Sequence, residues 1–408
     1  MTDDLTTQCC IAGGGPAGLM LGFLLARAGV DTIVLEKHAD FLRDFRGDTI
    51  HPSTLEMMHE LGLLEDFLKL SHHKVETLNA YFGSRRLVLA DLRSLPVQCG
   101  YIAMMPQWDF LNFLAARAKL YPTFRLMMRA KAKHLVLSGD TVTGLDVDTP
   151  EGRRGIAADL VIGADGRHST VRAEAGLVAT DFGAPMDVFW FRLPRIASDP
   201  DETAGYFGVG HILVLLNRGD YWQSALVIPK GAADALRARG LGHLRQSIAE
   251  LAPFLADRGT AIPDWDAVKL LTVKVDRLET WYRDGLLCIG DAAHAMSPIG
   301  GVGVNIAVQD AVAAANLLWK PLRAGTVTPA DLQRVQDLRT FPARVTQSLQ
   351  LAIQNRIISA ALQAGVQMAP PLFLRAMNAV PLLRRIPARL LGLGVRPEHI
   401  RSPELARS

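Results

Sequence analysis

The hydrophobic pattern changes period several times along the 408 residues, and each change marks an element. The apolar run Cys9-Cys10-Ile11-Ala12 is followed by glycines and then by LMLGFLLARAG. This predicts a strand, a tight turn and a helix, with Gly29 just past the helix end, where a left-handed residue is favoured. Thr32-Ile33-Val34-Leu35 is a β-branched run of the kind buried in parallel sheets. From Pro52 to Phe67, apolar Leu55, Met58, Leu61, Leu64 and Phe67 recur at three-residue steps and predict a helix; Asp109 to Lys119 predicts another. Shorter strands are expected at His134–Ser138, Val142–Asp148 and Leu160–Ile162.

From about Asp187 to Pro229 the texture changes. DVFWFRLPR, HILVLLNRGD and YWQSALVIPK are rich in aromatic and aliphatic residues and separated by Gly, Pro and Asn, which predicts an antiparallel sheet. Residues 231–258 return to a helical pattern, KLLTVKVDRLE to a strand, and LLCIG leads into a long Ala-rich helix; 329–391 is mostly helical. The expected fold is therefore an α/β composite. A Rossmann-like nucleotide-binding domain would be assembled from residues 1–72, 100–180 and 270–340. A mostly antiparallel substrate-binding sheet, 73–99 and 181–269, would be inserted into it, and 341–408 would form a helical carboxyl-terminal region.

Composition narrows the class. With 49% hydrophobic and 21% charged residues the chain has the balance of a globular protein, which excludes disorder on the scale of the whole chain. A net charge of +3 is too mild to argue for nucleic acid. The four cysteines show neither CxxC nor zinc spacing, excluding a disulfide scaffold and a Cys-rich metal site, and no metal is expected. MTDDLTT carries no apolar signal core, so the cytoplasm is the expected compartment. Residues 357–374 lack charge over 18 positions, near the minimum for a membrane span. Ser359, Gln363, Gly365, Gln367 and Pro370-Pro371 make a buried helix ending at the prolines the better reading.

Three constellations carry candidate chemistry. Gly13-Gly14-Gly15-Pro16-Ala17-Gly18 is a GxGxxG run between a strand and a helix, a pattern that brings backbone N–H groups and a helix dipole to a pyrophosphate. Glu36, with Lys37 beside it, ends the next strand 18 residues after Gly18, where a carboxylate accepts the hydroxyls of an adenosine ribose; this favours FAD or NAD over NADP. The second is ADLVIGADGRHSTVR, residues 158–172, with Asp165 at its turn. In the third, Gly285 to Asn305, a strand ends in Gly290-Asp291 and is followed by Pro298, Gly300, Gly301 and Gly303. Glycines there let the backbone lie flush against a flat ring, so that a side chain at Gly301 would take the ring's space. A helix starting near Val304 would aim its N-terminal dipole at that ring. His294 in this Ala-rich stretch reads as a packed structural histidine, and Cys9 and Cys10 as strand residues.

In order and wording, these three motifs resemble those of the flavoprotein aromatic hydroxylases, the p-hydroxybenzoate hydroxylase-like group, from Gly13 to Asn305. The resemblance implies an FAD-dependent monooxygenase. FAD would be held non-covalently by Gly13, Gly15, Pro16, Ala17, Gly18, Glu36, Lys37, Asp165, Gly290, Asp291, Pro298, Gly301, Gly303, Val304 and Asn305. It further implies Gln107 beside the ribityl chain, and Arg46 in contact with FAD and in the use of NADH or NADPH, a transient co-substrate without a GxGxxG of its own. Arg46 and Pro298 are the catalytic candidates. O₂ would form a C4a-hydroperoxyflavin that hydroxylates an electron-rich substrate, expected to be a hydrophobic aromatic or polyketide-like molecule, with His211 or Tyr206 a candidate base. Rival expectations are a reductase, a halogenase (although WxWxIP is absent) and a non-catalytic FAD-binding paralogue. The segment from Arg375 to Arg401 holds six arginines, one acid and several leucines. Its prolines favour a cap on the flavin domain or a subunit contact over a membrane contact, so a monomer or homodimer in solution is expected.

Overall fold

The computed structural model describes residues 5–42, 48–363, 365 and 368–405. Its central sheet has five parallel strands in the order Leu286–Cys288, Gly152–Gly163, Leu5–Ala12, Thr32–Glu36, Phe124–Met128. Cys9 stands between Thr32 and Leu160 in register. Alternation sends Cys9 and Ile11 into the core beneath the helices, and Cys10 and Ala12 into the core on the opposite face. Both thiols are fully buried, and burial pushes the Cys10 thiol up to about 12. The first core is built on helices Pro16–Arg27, Gln107–Ala118 and Gly303–Ala324. The opposite face is covered by the antiparallel strands Lys131–Ser138 and Thr141–Thr149, which fold back along Gly152–Gly163. Gly303–Ala324 is the one helix among the described residues apolar and long enough to cross a membrane, but it is mostly buried inside this core.

The second sheet has seven strands, in the order Lys269–Leu271, Met186–Pro194, Tyr221–Pro229, Ile212–Asn217, Ala204–Phe207, Thr77–Phe82, Arg85–Asp91. Its pairings are antiparallel except one: Thr77–Phe82 runs parallel to Ala204–Phe207 and joins two distant pieces of chain. One face, with Phe189, Phe191, Tyr206, Leu213, Leu215, Trp222 and Leu226, packs under Leu241–Leu251. The other carries Val188, Trp190, Val214, Ala225 and Val227 and meets Ile299, Ile358 and Met368. Asp199, buried at one edge, accepts from Trp222 Nε1 (3.0 Å) and pairs with Arg258. Burial would raise its carboxyl, but Arg258 and the other donors outweigh that and hold it at about 2.

Several boundaries differ from the pattern reading. The expected helix 52–67 is two, Pro52–Glu60 and Leu64–Phe67, because Gly62 adopts φ +68° between them. KLLTVKVDRLE splits into Lys269–Leu271 and Asp276–Leu278, which belong to different sheets. His73–Val75 joins neither large sheet; it pairs with Ile102–Met104, which also pairs with Thr49–Ile50. The helical region begins at Pro329 with a helix to Ile353, continues through a π turn to Gln363, and resumes at Leu372 after the prolines.

Candidate active site

The three motifs meet at the carboxyl ends of the parallel strands, the edge where open α/β sheets bind ligands. Gly13 (φ +114°) leaves the opening strand so close to the second motif that a Cβ there would lie 2.3 Å from the Ala164 carbonyl oxygen. Gly18 is as tightly placed, since its Cβ would be 1.9 Å from the Gly13 oxygen. Gly15, the N-cap of helix Pro16–Arg27, is different: nothing lies within 4 Å of an added Cβ, and no side chain caps the helix. The glycine turn is thus closed towards the protein and open in front of the helix N-terminus, where orphan N–H groups and the positive dipole end favour a phosphate.

The other members converge on this turn. Glu36 ends its strand, buried, and its Oε1 accepts from His38 N–H at 2.9 Å; Lys37 next to it is exposed. Gly290 sits against Ala17 and Ala307, joining the third motif to the first helix. Arg167 of the second motif reaches Asp291 of the third at 3.4 Å, and Arg172 donates to the Ala292 carbonyl at 3.3 Å. Asp165 Oδ2 accepts from Thr170 and Val171 N–H at 2.7 and 3.2 Å, while its Oδ1 is buried without a partner.

Behind the third motif, helix Gly303–Ala324 begins. Asn305 spends both ends of its amide on the protein: Oδ1 accepts from His51 N–H and Thr54 Oγ1, both at 2.8 Å, and Nδ2 donates to the Thr49 carbonyl at 3.0 Å. Its side chain therefore fixes the loop, while Gly303, Val304 and the Asn305 backbone bring the helix N-terminus itself. At Gly301 (φ +63°) a Cβ would strike Thr49 Oγ1 at 2.5 Å, so the neighbouring strand by itself already demands a glycine there. Pro298 is half-buried at the head of the turn Ile299–Gly301.

Beneath this loop lies a buried charge network that the sequence did not announce. Asp310 Oδ2 takes His294 Nε2 at 2.6 Å and Gly290 N–H at 3.1 Å, and its Oδ1 takes Arg339 Nε at 2.9 Å. Arg339 also reaches Glu398 at 3.4 Å. The His294, Asp310 and Arg339 side chains are at most 1% exposed, with Trp281 packed on the imidazole at 4.9 Å. His294 is placed as a support for the Gly290 turn.

Gln107 opens helix Gln107–Ala118, and its N–H faces Asp48 Oδ1 at 3.3 Å. Asp48 pairs in turn with Arg218 from the second sheet, whose guanidinium donates to Gln223 Oε1 at 2.7 and 2.8 Å. Burial raises the Asp48 carboxyl, with Arg218 opposing. Arg218 Nη1 and Trp190 Nε1 remain buried without partners. No spacing signal links positions 48, 218 and 223. Arg46 lies outside the described residues, two positions before this pair.

Tyr206 and His211 are not placed for the role expected of them. The pleat turns Tyr206 to the helix-covered face, stacked on Tyr81 at 4.9 Å, with its phenol raised by burial. His211 lines a cavity of about 10 Å³ on that same face with His243, Phe189 and Trp265. Neither faces Ile299.

The pieces fit FAD. An open helix N-terminus suits its pyrophosphate, the buried Glu36 carboxylate its ribose, and the unpartnered Asp165 oxygen a ligand hydroxyl. The FAD binding domain family profile matches residues 6–344. The 6-methylpretetramide 4-monooxygenase of Streptomyces rimosus is 32% identical over 368 residues, covering 88% of this chain and 87% of that protein. The rifampicin monooxygenase of Streptomyces venezuelae is 30% identical, over 76% of this chain and 63% of its own length. Among solved structures, the anhydrotetracycline hydroxylase OxyS of Streptomyces rimosus matches with a TM-score of 0.73 at 26% identity, covering 97% of this chain and 77% of that one. With three motifs closing on one glycine turn and relatives along most of its length, the chain belongs to the FAD-binding family of flavin-dependent monooxygenases, and FAD is its cofactor.

Proposed function

We propose that this enzyme uses NAD(P)H and O₂ to hydroxylate a polycyclic aromatic compound of the polyketide kind. The observation that carries the reading is the face of the second sheet turned to Ile299. Val188, Trp190, Val214, Ala225 and Val227 form an apolar face there, part of it covered by Ile358 and Ala361, with the polar Arg192 and Gln223 at one end. Such a wall favours a large flat apolar molecule, and the unpartnered Trp190 N–H would donate to one of its oxygens. The likeness to an S. rimosus monooxygenase named for 6-methylpretetramide supports the same class.

Bound FAD would supply oxygen transfer to an electron-rich carbon. The chain's part is binding, orientation and exclusion of water. Gly13, Gly15, Pro16, Ala17 and Gly18 would take the pyrophosphate, and Glu36 with Lys37 the adenosine end. Asp165, Gln107, Gly290 and Asp291 would line the ribityl chain. Pro298, Gly301, Gly303 and Val304 would form the ring's floor, held in place by Asn305. The helix beginning at Gly303 would stabilise negative charge at the nearer ring edge. The four described cysteines are all unpaired and buried, which together with NAD(P)H use supports work in the reducing cytoplasm.

Three outcomes test these roles. Glu36→Ala is expected to weaken FAD binding by about 1.5–3 kcal/mol, the worth of charge-assisted hydrogen bonds, in a titration of apoprotein. Arg46→Ala is expected to raise the apparent KM for NAD(P)H with flavin still bound; unchanged kinetics would remove Arg46 from the site. Trp190→Phe keeps the ring and deletes the donor, so kcat/KM for the aromatic substrate should fall roughly fivefold, about 1 kcal/mol, while FAD affinity stays constant. For the reading as a whole, NAD(P)H oxidation is measured against a panel of aromatic compounds. Stimulation by tetracyclic phenols well above that by single-ring phenols is expected, and the reverse order would exclude the polycyclic class.

A further inference from the structure

We propose that the carboxyl-terminal helices form a docking surface for an anionic membrane, a property independent of which substrate is oxygenated. Leu372–Ala379 and Arg385–Gly392, joined through a single turn at Pro381–Arg384, lie along the outermost strand of the second sheet, Arg85–Asp91. A few side chains anchor them. Leu374 and Met377 pack on Ala80, Phe82 and Leu87, and Ala388 and Leu393 belong with Ala90, Leu92 and Leu95. The sequence reading expected a cap on the flavin domain or a subunit contact; these four side chains pack instead at the edge of the second sheet, and most of the other apolar residues stay exposed.

The others face outward. Leu372 is 77% exposed, Leu382 65%, Ile386 60% and Phe373 54%, with Val380, Leu383 and Leu390 each more than a third exposed. Leu382, Ile386 and Leu390 recur every four residues and so form one row, and Arg385 and Arg389 run beside it at the same spacing. Soluble monomers rarely leave so many large apolar side chains together in water.

Charge selects the occupant. Between Asp337 and Glu398 the chain has eight arginines, no lysine and no acid. Arg384 spends its guanidinium on the Met377 and Asn378 carbonyls. Arg375, Arg385 and Arg389 are exposed and, among the described residues, pair with no carboxylate. Asp91, at the end of the strand beneath, is held by Arg93. A second copy of the chain docking through this face would bring the same arginines opposite one another, since a two-fold interface is self-complementary. The most exposed leucines stand out into solvent, so a folded protein partner would need pockets of its own to seat them. A lipid interface needs none: it takes aliphatic and aromatic side chains into its acyl boundary while anionic headgroups pair with the arginines. The surface also adjoins the candidate active site. The Leu391 carbonyl of the second helix lies 2.8 Å from His51 Nδ1, and a Cβ at Gly300 would touch Leu391.

The test uses the full-length, FAD-loaded protein, sedimented at physiological salt (~0.15 M) with vesicles of phosphatidylcholine alone or mixed in equal parts with phosphatidylglycerol. The wild type is expected to pellet with the mixed vesicles and to stay in solution with phosphatidylcholine. Leu382→Ser/Ile386→Ser/Leu390→Ser and Arg375→Gln/Arg385→Gln/Arg389→Gln replace exposed side chains only. Each should retain its flavin absorbance and vesicle-free NAD(P)H oxidation and lose about tenfold or more in vesicle affinity. Wild type remaining in the supernatant with both vesicles, as a monomer or as a dimer that the apolar variant splits, overturns the proposal. Pelleting that neither variant weakens overturns it as well.

Discussion

Replacing Asp310 by alanine is expected to destabilise the folded enzyme by about 3–5 kcal/mol, the usual cost of removing one partner from a buried ion pair. The carboxylate holds three groups at once: His294, Arg339 and the N–H of Gly290. Without it, a guanidinium 1% exposed keeps its charge with only the more distant Glu398 for company. The damage should reach the flavin, because Gly290 is the turn from which Asp291 projects. FAD would therefore dissociate at temperatures where the wild type retains it, a change read by flavin fluorescence during thermal unfolding. Asp310→Asn keeps an acceptor for Gly290 and should cost less. The pH dependence follows from the same geometry. Burial would raise the Asp310 carboxyl, but His294 and then Arg339 outweigh it and hold it below the usual range. Its contribution is thus complete above the unfolded carboxylate value, ~3.9, and is lost as pH falls through the lower folded value. An acid-unfolding midpoint unchanged in the variant would show that Asp310 carries no such load.

The second large effect separates the architecture of the glycine turn from its ligand. Gly18→Val places a branched Cβ where the Gly13 carbonyl oxygen already lies, at 1.9 Å, with Ile11 Cγ2 at 3.2 Å. Backbone cannot yield as a side chain does, so the first helix must lift from its strand. A loss of about 3 kcal/mol or more is expected, together with loss of FAD. Gly15→Ala is the contrasting case, since its methyl group meets nothing within 4 Å. That variant should unfold at the wild-type temperature when both are stripped of FAD. It should nonetheless bind FAD at least tenfold more weakly, about 1.4 kcal/mol, because the methyl intrudes on the space kept for the pyrophosphate. Equal FAD affinity in Gly15→Ala and wild type would move the pyrophosphate away from this turn.

The parts of the site that could be read from sequence are those whose chemistry acts over a few residues. A tight turn that must approach a phosphate needs glycines at fixed spacing, and Gly13, Gly15 and Gly18 announce it. Glu36 was legible because strand length fixes where the next carboxylate falls. What escaped was set by packing between distant segments. The links from Asp48 to Arg218 and from Asp310 to Arg339 and Glu398 have no periodicity to betray them. Strand parity decided the fate of Tyr206: one position along the strand, Phe207 faces the opposite side. At Gly301 the residue type was foreseen, while the close approach of Thr49, on a strand some 250 positions earlier, was not. Pro371 and Pro381 open short helices in the carboxyl-terminal region, as expected, whereas Pro387 sits inside Arg385–Gly392, and the composition did not reveal that their leucines would remain in water.

An oxygen atom passing from O₂ to an aromatic carbon leaves a label that can be weighed. Purified FAD-loaded protein is incubated with NAD(P)H and a polycyclic phenol under isotope-labelled O₂, and the products are weighed by mass spectrometry. Substrate-stimulated NAD(P)H consumption is expected, with a product that has gained one labelled oxygen atom on its ring system. FAD-bound protein that consumes NAD(P)H at the same rate with and without every aromatic compound offered, leaving all of them unlabelled, would rule out oxygen transfer to an aromatic ring.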